Sequence, residues 1–210
     1  NPFNASRIAN EYCEGNAWQY TWLVPQDLDL LVERFGGVES TLERLDGLFT
    51  AESKMEGEDV TPDISGLIGQ YVHGNEPSHH IIYFYTMLGE PWKAADRLYE
   101  VMATMYSTEP DGLSGNEDVG QMSAWYVMTT LGFYPVEPAS GKYALGVPMV
   151  DGAEIDVEGG IFRVERLGYS EANRYVQSVE LNGVALDRNY ITHEVVIAGG
   201  LLKFNMGAEK

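Results

Sequence analysis

The sequence predicts an α+β chain, with helical hairpins over residues 1–140 and antiparallel β-strands over residues 141–210. In the first region, apolar residues recur at helical spacing, whereas the second region contains short apolar runs separated by turn residues. The net charge changes at the same place, from −16 over residues 1–140 (6 basic and 22 acidic residues) to −3 over residues 141–210 (7 basic and 10 acidic residues). Pro135, Pro138 and Gly141 mark the boundary.

The first region contains five predicted helical segments. Residues 28–35 and 42–49 each carry an apolar face, and Gly36-Gly37 between them suits the left-handed cap of the first helix. Further helices are predicted over residues 76–88, 92–106 and 117–131. No strand pattern is evident between these segments, so we expect packed helical hairpins.

The second region contains six predicted strands. The Asn182-Gly183 dipeptide between apolar flanks is a strong hairpin signal. A β-region of this size is marginally stable alone, so we expect it to pack on the helical region or on a sheet outside this chain. The predicted strands cover residues 143–145, 154–157, 161–164, 176–181, 194–197 and 201–204.

Composition excludes several classes of function. The formal net charge of −19 argues against nucleic acid, because affinity for phosphates comes mainly from Lys and Arg. No apolar run approaches the ~20 residues of a membrane-spanning helix. The single cysteine, Cys13, cannot form an internal disulfide, and we expect it to be buried and inert.

Three segments combine carboxylates, amides and aromatic rings beside a glycine at a predicted helix start. For each acid taken alone, such as Glu76, Glu117 or Asp118, ordinary helix capping is the favoured interpretation. Three such segments in one helical array favour a shared site, because helical hairpins arranged in a ring bring these ends to one rim. The segments are 14–22 (EGNAWQYTW), 74–80 (GNEPSHH) and 115–121 (GNEDVGQ).

The residue types in these segments favour carbohydrate chemistry. Aromatic rings stack on sugar C–H faces, and two carboxylates that flank a glycosidic bond suffice for its hydrolysis. An oxygen-rich set of Glu, Asp and Asn suits Ca²⁺ better than Zn²⁺. His79 and His80 are adjacent and point about 100° apart on a helix, which disfavours a shared zinc ion. Binding to substrate or packing in the core suits each histidine better.

The three segments resemble glycoside hydrolase family 92, the calcium-dependent exo-acting α-mannosidases. The likeness continues through residues 25–27 (PQD), 122–126 (MSAWY) and 131–135 (LGFYP). The resemblance implies an (α/α)6 barrel, whose final strands return to a β-sandwich. Family members are several times longer, so this chain resembles their C-terminal portion: part of the barrel and those returning strands.

The resemblance also implies roles for individual residues. Glu14 matches the general acid and Asp118 the general base of an inverting mechanism. Many relatives have an acid where this chain has Asn116, and an amide can orient a water molecule but cannot take its proton. The implied substrate-binding residues are Asn116, Trp18, His79, His80 and Glu117, and the implied calcium ligands are Gln19, Asn75 and Glu76.

The resulting expectation is a portion of a Ca²⁺-dependent, inverting exo-α-mannosidase acting on terminal, α-1,2-linked mannose of glycans. A noncatalytic carbohydrate-binding fragment remains an alternative, as does a metal-independent (α/α)-barrel glycosidase acting on another sugar. The expected partners are mannose-terminated glycans and the missing N-terminal part of the same enzyme. By resemblance, the location is extracellular, periplasmic or at the cell surface.

Overall fold

The computed structural model describes residues 3–8, 12–57 and 64–210, which form two compact units. The first unit contains the described residues up to Ile81 together with Val101–Ser123, and the second contains Ile82–Glu100 and Ala124–Lys210. The mixture of helices and strands confirms the coarse α+β class. The predicted domain boundary near residue 140 stays a prediction.

The first unit is built on three helices and a small hairpin. The second helix begins where the Asp27 carboxylate accepts the Leu30 N–H, and it ends at Gly36, whose φ of 90° provides the left-handed cap predicted from the sequence. The elements are α1 (Ala17–Tyr20), α2 (Leu28–Phe35), α3 (Val38–Thr50), β1 (Leu67–Ile68), β2 (Tyr71–Val72) and a 3₁₀ turn (Glu76–Ser78).

The β1–β2 hairpin corrects the expectation that no strand lies between the predicted helices of the first region. Its turn packs directly on α3, because the Gln70 N–H donates to the Leu48 carbonyl over 2.7 Å. A Cβ at Gly69 would lie 2.4 Å from that same carbonyl oxygen. Strands of two residues leave too short an alternation to be detected in a sequence.

The core of the first unit combines aromatic and aliphatic side chains. Each large buried side chain contributes roughly 1.5–3 kcal/mol through removal from water. Its members include Trp22, Leu45, Leu48, Tyr71, Val72 and Ile81, none of which is more than 1% exposed.

The second unit combines helical segments with two sheets. Its elements include residues of α4 (Tyr83–Met87), α5 (Pro91–Thr104) and α6 (Gln121–Thr130), followed by a short helix α7 (His193–Ile197). Strands β3 (Phe133–Tyr134), β4 (Lys142–Leu145) and β9 (Tyr190–Thr192) form one sheet in the order β3-β4-β9. The other strands are β5 (Gly152–Val157), β6 (Gly160–Leu167), β7 (Tyr175–Leu181), β8 (Val184–Ala185) and β10 (Gly200–Gly207).

The larger sheet has the strand order β5-β6-β10-β7-β8. Its alternating side chains, including Phe162 and Val164 on β6 and Leu202 and Phe204 on β10, are buried on one face. The β10–β6 pair is parallel, which corrects the expectation of a wholly antiparallel region. The predicted hairpin is confirmed, because β7 and β8 pair across Asn182-Gly183.

Two predicted helices start later than expected. The segment predicted over 76–88 is a 3₁₀ turn followed by α4, because its N–H groups bond three residues back, as from His79 to Glu76 over 3.0 Å. The segment predicted from residue 117 begins at Gln121. Asp118, Val119 and Gly120 have φ values of 51°, 58° and 97°, which interrupt the right-handed helix.

The strand predicted over residues 194–197 is wrong, because these residues belong to helix α7. Strand β9 pairs with β4 as far as the Thr192–Lys142 pair, where β4 begins. The His193 N–H then donates to the Gly141 carbonyl over 2.7 Å, and the chain turns into a helix. Loss of a pairing partner thus overrides the β-propensity of Val195, Val196 and Ile197.

Candidate functional site

The three polar segments lie next to one another in the first unit. The Asn75 side-chain amide donates to the Glu14 carbonyl over 2.7 Å and thereby joins the first segment to the second. Gly115 lies against Gly74 so closely that a Cβ there would be 2.7 Å from the Gly74 carbonyl oxygen. Segments distant in sequence are therefore neighbours in space.

Glu14 is exposed and has a left-handed backbone conformation with a φ of 51°. Its neighbour Cys13 is held on both sides, because the Tyr20 hydroxyl donates to the Cys13 carbonyl over 2.6 Å and accepts the Cys13 N–H over 3.0 Å. The Asn75 amide holds the Glu14 carbonyl itself. Cys13 is exposed, which corrects the expectation that it is buried.

Asp118 is half-buried and shares the left-handed conformation, as does Val119 after it. Among the described residues, the non-glycine positions with positive φ are Glu14, Asp118, Val119 and Asn182. Each such position costs on the order of 1–3 kcal/mol and persists where its surroundings enforce it, often at functional sites. Both carboxylates implied as acid and base belong to this small group.

A buried amide network fixes the start of α1. The Gln19 side-chain oxygen accepts the Asn16 N–H over 2.8 Å, and the Asn16 side-chain oxygen accepts the Trp18 N–H over 2.9 Å. Gln70 joins them by accepting from the Asn16 amide over 3.0 Å and by donating to the carbonyls of Glu52 and Lys54. Sequence reasoning missed Gln70, because no spacing rule relates the β1–β2 turn to residue 16.

The residues implied as calcium ligands have their orientations set by these contacts. The Gln19 amide donates to the Gln70 carbonyl over 2.5 Å, so its oxygen faces the Asn16 N–H. The Asn75 oxygen accepts the Glu76 N–H over 3.2 Å. An amide oxygen has two lone pairs, so each retains capacity for a cation.

Within the described ranges, no three His, Cys, Asp or Glu side chains form a group that could hold a metal ion. The implied set is of another kind, with two amide oxygens and the Glu76 carboxylate. Ca²⁺ takes 6–8 oxygen ligands, so three side-chain oxygens fit an ion that also binds water and sugar hydroxyls. The donor set therefore fits Ca²⁺ in chemistry.

His79 and His80 are buried, and each ring binds a main-chain carbonyl. His79 Nε2 donates to the His73 carbonyl over 2.9 Å, and His80 Nε2 donates to the Trp22 carbonyl over 2.8 Å. Burial lowers the pKa of His79 to about 4, although the hydrogen bond to His73 and the Asp118 charge act in the opposite direction. Burial likewise lowers the pKa of His80. Both rings are therefore neutral near pH 7.

The other residues implied in substrate binding have different environments. Asn116 and Glu117 are exposed. The two Glu117 carboxylate oxygens accept the Ser123 N–H and hydroxyl, each over 3.0 Å, as in helix capping. Trp18 lines an apolar pocket of about 330 Å³ together with Trp22 and Arg44. A larger pocket of about 600 Å³ in the second unit is lined by none of the implied site residues.

Comparison with known proteins identifies one family. The model of the glycosyl hydrolase family 92 catalytic domain matches residues 1–208. A protein of Arthroderma benhamiae named "Uncharacterized secreted glycosidase" is 28% identical over 206 residues, which are 96% of this chain and 24% of that protein.

Among the described residues, no helix combines the length and apolarity needed to span a membrane.

Solved structures give the same result. A family GH92 α-mannosidase from Bacteroides thetaiotaomicron is 38% identical with a TM-score of 0.86, covering 99% of this chain and 26% of that one. Its complex with mannoimidazole gives a TM-score of 0.89 over 99% of this chain and 28% of that one, at 37% identity. A GH92 inverting mannosidase from the same organism is 34% identical with a TM-score of 0.84, covering all of this chain and 29% of that one. The chain spans about a quarter of the length of these relatives.

Proposed function

Because the chain belongs to glycosyl hydrolase family 92, we propose that it carries the catalytic acid and base of an exo-α-mannosidase. The observation that carries this proposal is the union of the three segments in one unit, with Glu14 and Asp118 both held in left-handed conformations. The solved relatives support mannose as the sugar, since one was crystallised with mannoimidazole.

The proposed reaction is a single displacement at the anomeric carbon. The Glu14 carboxylic acid donates its proton to the glycosidic oxygen as the bond to the anomeric carbon breaks. Asp118 takes a proton from the water that forms the new bond on the opposite face. Such a reaction inverts the configuration and requires the two carboxyl groups to be ~6.5–9.5 Å apart, with room for the water.

The remaining segment residues supply substrate contacts in this proposal. The Asn116 amide orients the attacking water, and the exposed part of Trp18 offers a ring face for stacking. Glu117 acts mainly through Ser123 on the start of α6. His79 and His80 shape the floor of the site, because their Nε2 atoms already donate to main-chain carbonyls.

We also propose that Gln19, Asn75 and Glu76 hold Ca²⁺ through their side-chain oxygens, together with water. The ion would add positive charge beside the mannose hydroxyls that it binds. With only one carboxylate among the three ligands, we expect weak binding that a chelator reverses. Mannose release should cease with EDTA and return with added calcium, and activity that is unaffected by EDTA would exclude the metal.

At the scale of the enzyme, we infer that this chain works as part of a longer polypeptide, as in relatives four times its length. Its helices would complete an (α/α)6 barrel, and its strands would join a β-sandwich. The substrates would be mannose-terminated, α-1,2-linked glycans outside the cytoplasm. The name of the Arthroderma benhamiae relative as a secreted glycosidase supports that location.

The direct test is mannose release by the full-length polypeptide from a terminal α-mannoside. Glu14→Gln and Asp118→Asn should each lower kcat by at least ~100-fold, since general acid and base catalysis contribute about that much. Glu158→Gln and Asp156→Asn make the same chemical changes at exposed positions of the second unit and serve as matched controls.

The outcome also separates the alternatives. Unchanged turnover in Glu14→Gln and Asp118→Asn would reject the two assignments. Binding of mannosides without turnover by the full-length protein would favour a noncatalytic carbohydrate-binding role. Release of a different sugar with no effect of EDTA would favour a metal-independent glycosidase.

A further inference from the structure

The left-handed turn that carries Asp118 requires support, because three successive positive φ values are unfavourable for Asp118 and Val119. The main chain contributes two bonds, from the Gln121 N–H to the Asp118 carbonyl and from the Met122 N–H to the Glu117 carbonyl, each over 3.2 Å. Val119 is fully exposed and provides no packing. Further restraint comes from side-chain hydrogen bonds at the start of α6.

Two such restraints lead to one buried group, which we term the histidine cluster and which comprises Tyr71, His73, His79 and Tyr106. The Gln121 side-chain amide donates to His79 Nδ1 over 3.1 Å. The Tyr106 hydroxyl donates to the Met122 carbonyl over 3.3 Å. Both bonds act on residues that directly follow the left-handed turn.

The proton positions in the histidine cluster follow from its acceptors. The His73 carbonyl can only accept, so His79 carries its proton on Nε2 and its Nδ1 accepts from Gln121. Because the Tyr106 hydroxyl donates its proton to the Met122 carbonyl, its oxygen accepts the proton of His73 Nε2 over 2.7 Å. His73 Nδ1 then accepts the Tyr71 hydroxyl proton over 2.9 Å. Each of these hydrogen bonds therefore has a defined donor, and the rings of His73 and His79 are both neutral.

We propose that Gln121 is a positioning residue for the general base, holding the Asp118 turn through its amide bond to His79 Nδ1. This inference rests on the proposed function, in which Asp118 is the base. Gln121 has no part in the chemistry, and its effect is to keep the carboxylate aligned with the attacking water. A displacement of about 1 Å costs roughly 100-fold in such arrangements.

The test is Gln121→Met in the full-length protein, which preserves side-chain length and removes the amide. We expect kcat to fall ~10–100-fold with KM within about 3-fold, since ground-state contacts to the sugar remain. Gln177→Met removes a comparable amide, bonded to the Tyr175 and Glu209 carbonyls in the second unit, and should leave both constants unchanged. A kcat within 2-fold of the wild type in Gln121→Met would overturn the proposal.

A second measurement is independent of activity. The ¹⁵N chemical shifts of His79 should show a protonated Nε2 and a bare Nδ1, and the Nδ1 signal should move in Gln121→Met. A protonated Nδ1 in the wild type, or an Nδ1 signal unmoved by the substitution, would overturn the inference. Wild-type protein that releases no mannose would instead defeat the proposed function, while the ¹⁵N measurement would still test the hydrogen bond from Gln121 to His79 Nδ1.

Discussion

At the scale of single residues, the candidate site depends on main-chain geometry as much as on the side chains proposed to perform chemistry. Glu14 and Asp118 occupy conformations that most residues avoid, and neighbouring hydrogen bonds hold them there. Glycines permit the close contacts around them, most clearly where Gly115 meets Gly74. Both features are invisible to a motif search, which records residue types and spacing only.

Gly115→Ala tests the contact between the second and third segments. Gly115 has a φ of 72°, and an added Cβ would lie 2.7 Å from the Gly74 carbonyl oxygen. Gly36→Ala is the matched control, because its φ is 90° and nothing lies within 4 Å of an added Cβ. The free energy of unfolding should fall by about 1–2 kcal/mol in both variants, because alanine is strained in the left-handed conformation. In Gly115→Ala it should fall by a further ~1–3 kcal/mol, because the added Cβ clashes with Gly74.

Denaturant titration of the two variants gives the comparison directly. Equal losses in unfolding free energy would show that Gly74 and Gly115 are not in contact.

The buried histidines predict a pH dependence of stability. The pKa of His79 is lowered to about 4 in the folded state, from an ordinary value of 6.5. Between these two values the unfolded chain binds more protons, so stability is intact above pH 6.5 and falls as the pH is lowered toward 4. Below about pH 4 the cost for His79 is on the order of 3 kcal/mol.

Unfolding free energies measured at several pH values check this prediction. Because carboxylates also titrate in acid, the informative quantity is the difference between variants. His79→Gln should reduce the loss between pH 6.5 and 4 by the share of His79, while His73 and His80, whose pKa values are also lowered by burial, retain theirs. His193→Gln removes an exposed histidine and controls for the substitution. Equal pH profiles for His79→Gln and the wild type would contradict the account.

At the scale of elements, local sequence signals located most helices and strands, and tertiary contacts set the exceptions. The Asn182-Gly183 hairpin was predictable, because its two residues have φ values of 53° and 79° and their types favour that turn. The β1–β2 hairpin and the left-handed start of α6 were not, since both depend on contacts with distant residues. The parallel β10–β6 pair similarly joins strands far apart in the chain.

The same reasoning applies to the candidate site. The three segments were recognisable from sequence, because each concentrates carboxylates and amides beside a glycine. The hydrogen-bonding roles of Gln70, Gln121 and the histidine cluster were not, because they arise from buried contacts that no spacing records.

Asn182 offers a test of how a turn stabilises the larger sheet. Its side-chain oxygen accepts the Leu201 N–H over 2.8 Å, which ties the β7–β8 turn to β10. Asn182→Ala should lower the free energy of unfolding by about 1–3 kcal/mol, because the hydrogen bond is lost and alanine adopts a left-handed conformation poorly. Asn182→Gly retains the backbone freedom and should lose only ~1 kcal/mol. Equal stability of Asn182→Ala and Asn182→Gly in thermal or chemical unfolding would contradict the predicted cost of the left-handed conformation.

At the scale of the whole molecule, the chain is a fully matched piece of a larger family fold. The family model covers residues 1–208, yet the chain spans about a quarter of the length of its solved relatives. A net charge of −19 is consistent with the proposed action on neutral sugars and disfavours polyanions. Glu14 and Asp118, the proposed acid and base, both lie in the first unit.

The most direct test of that pairing is the configuration of mannose at the moment of its release. Proton NMR of an α-mannoside, mixed with the full-length polypeptide, should show β-mannose first, with α-mannose growing in later by mutarotation. This order follows from an acid and a base on opposite faces of the bond, separated by a water molecule. Initial appearance of α-mannose would contradict the arrangement of Glu14 and Asp118 proposed here.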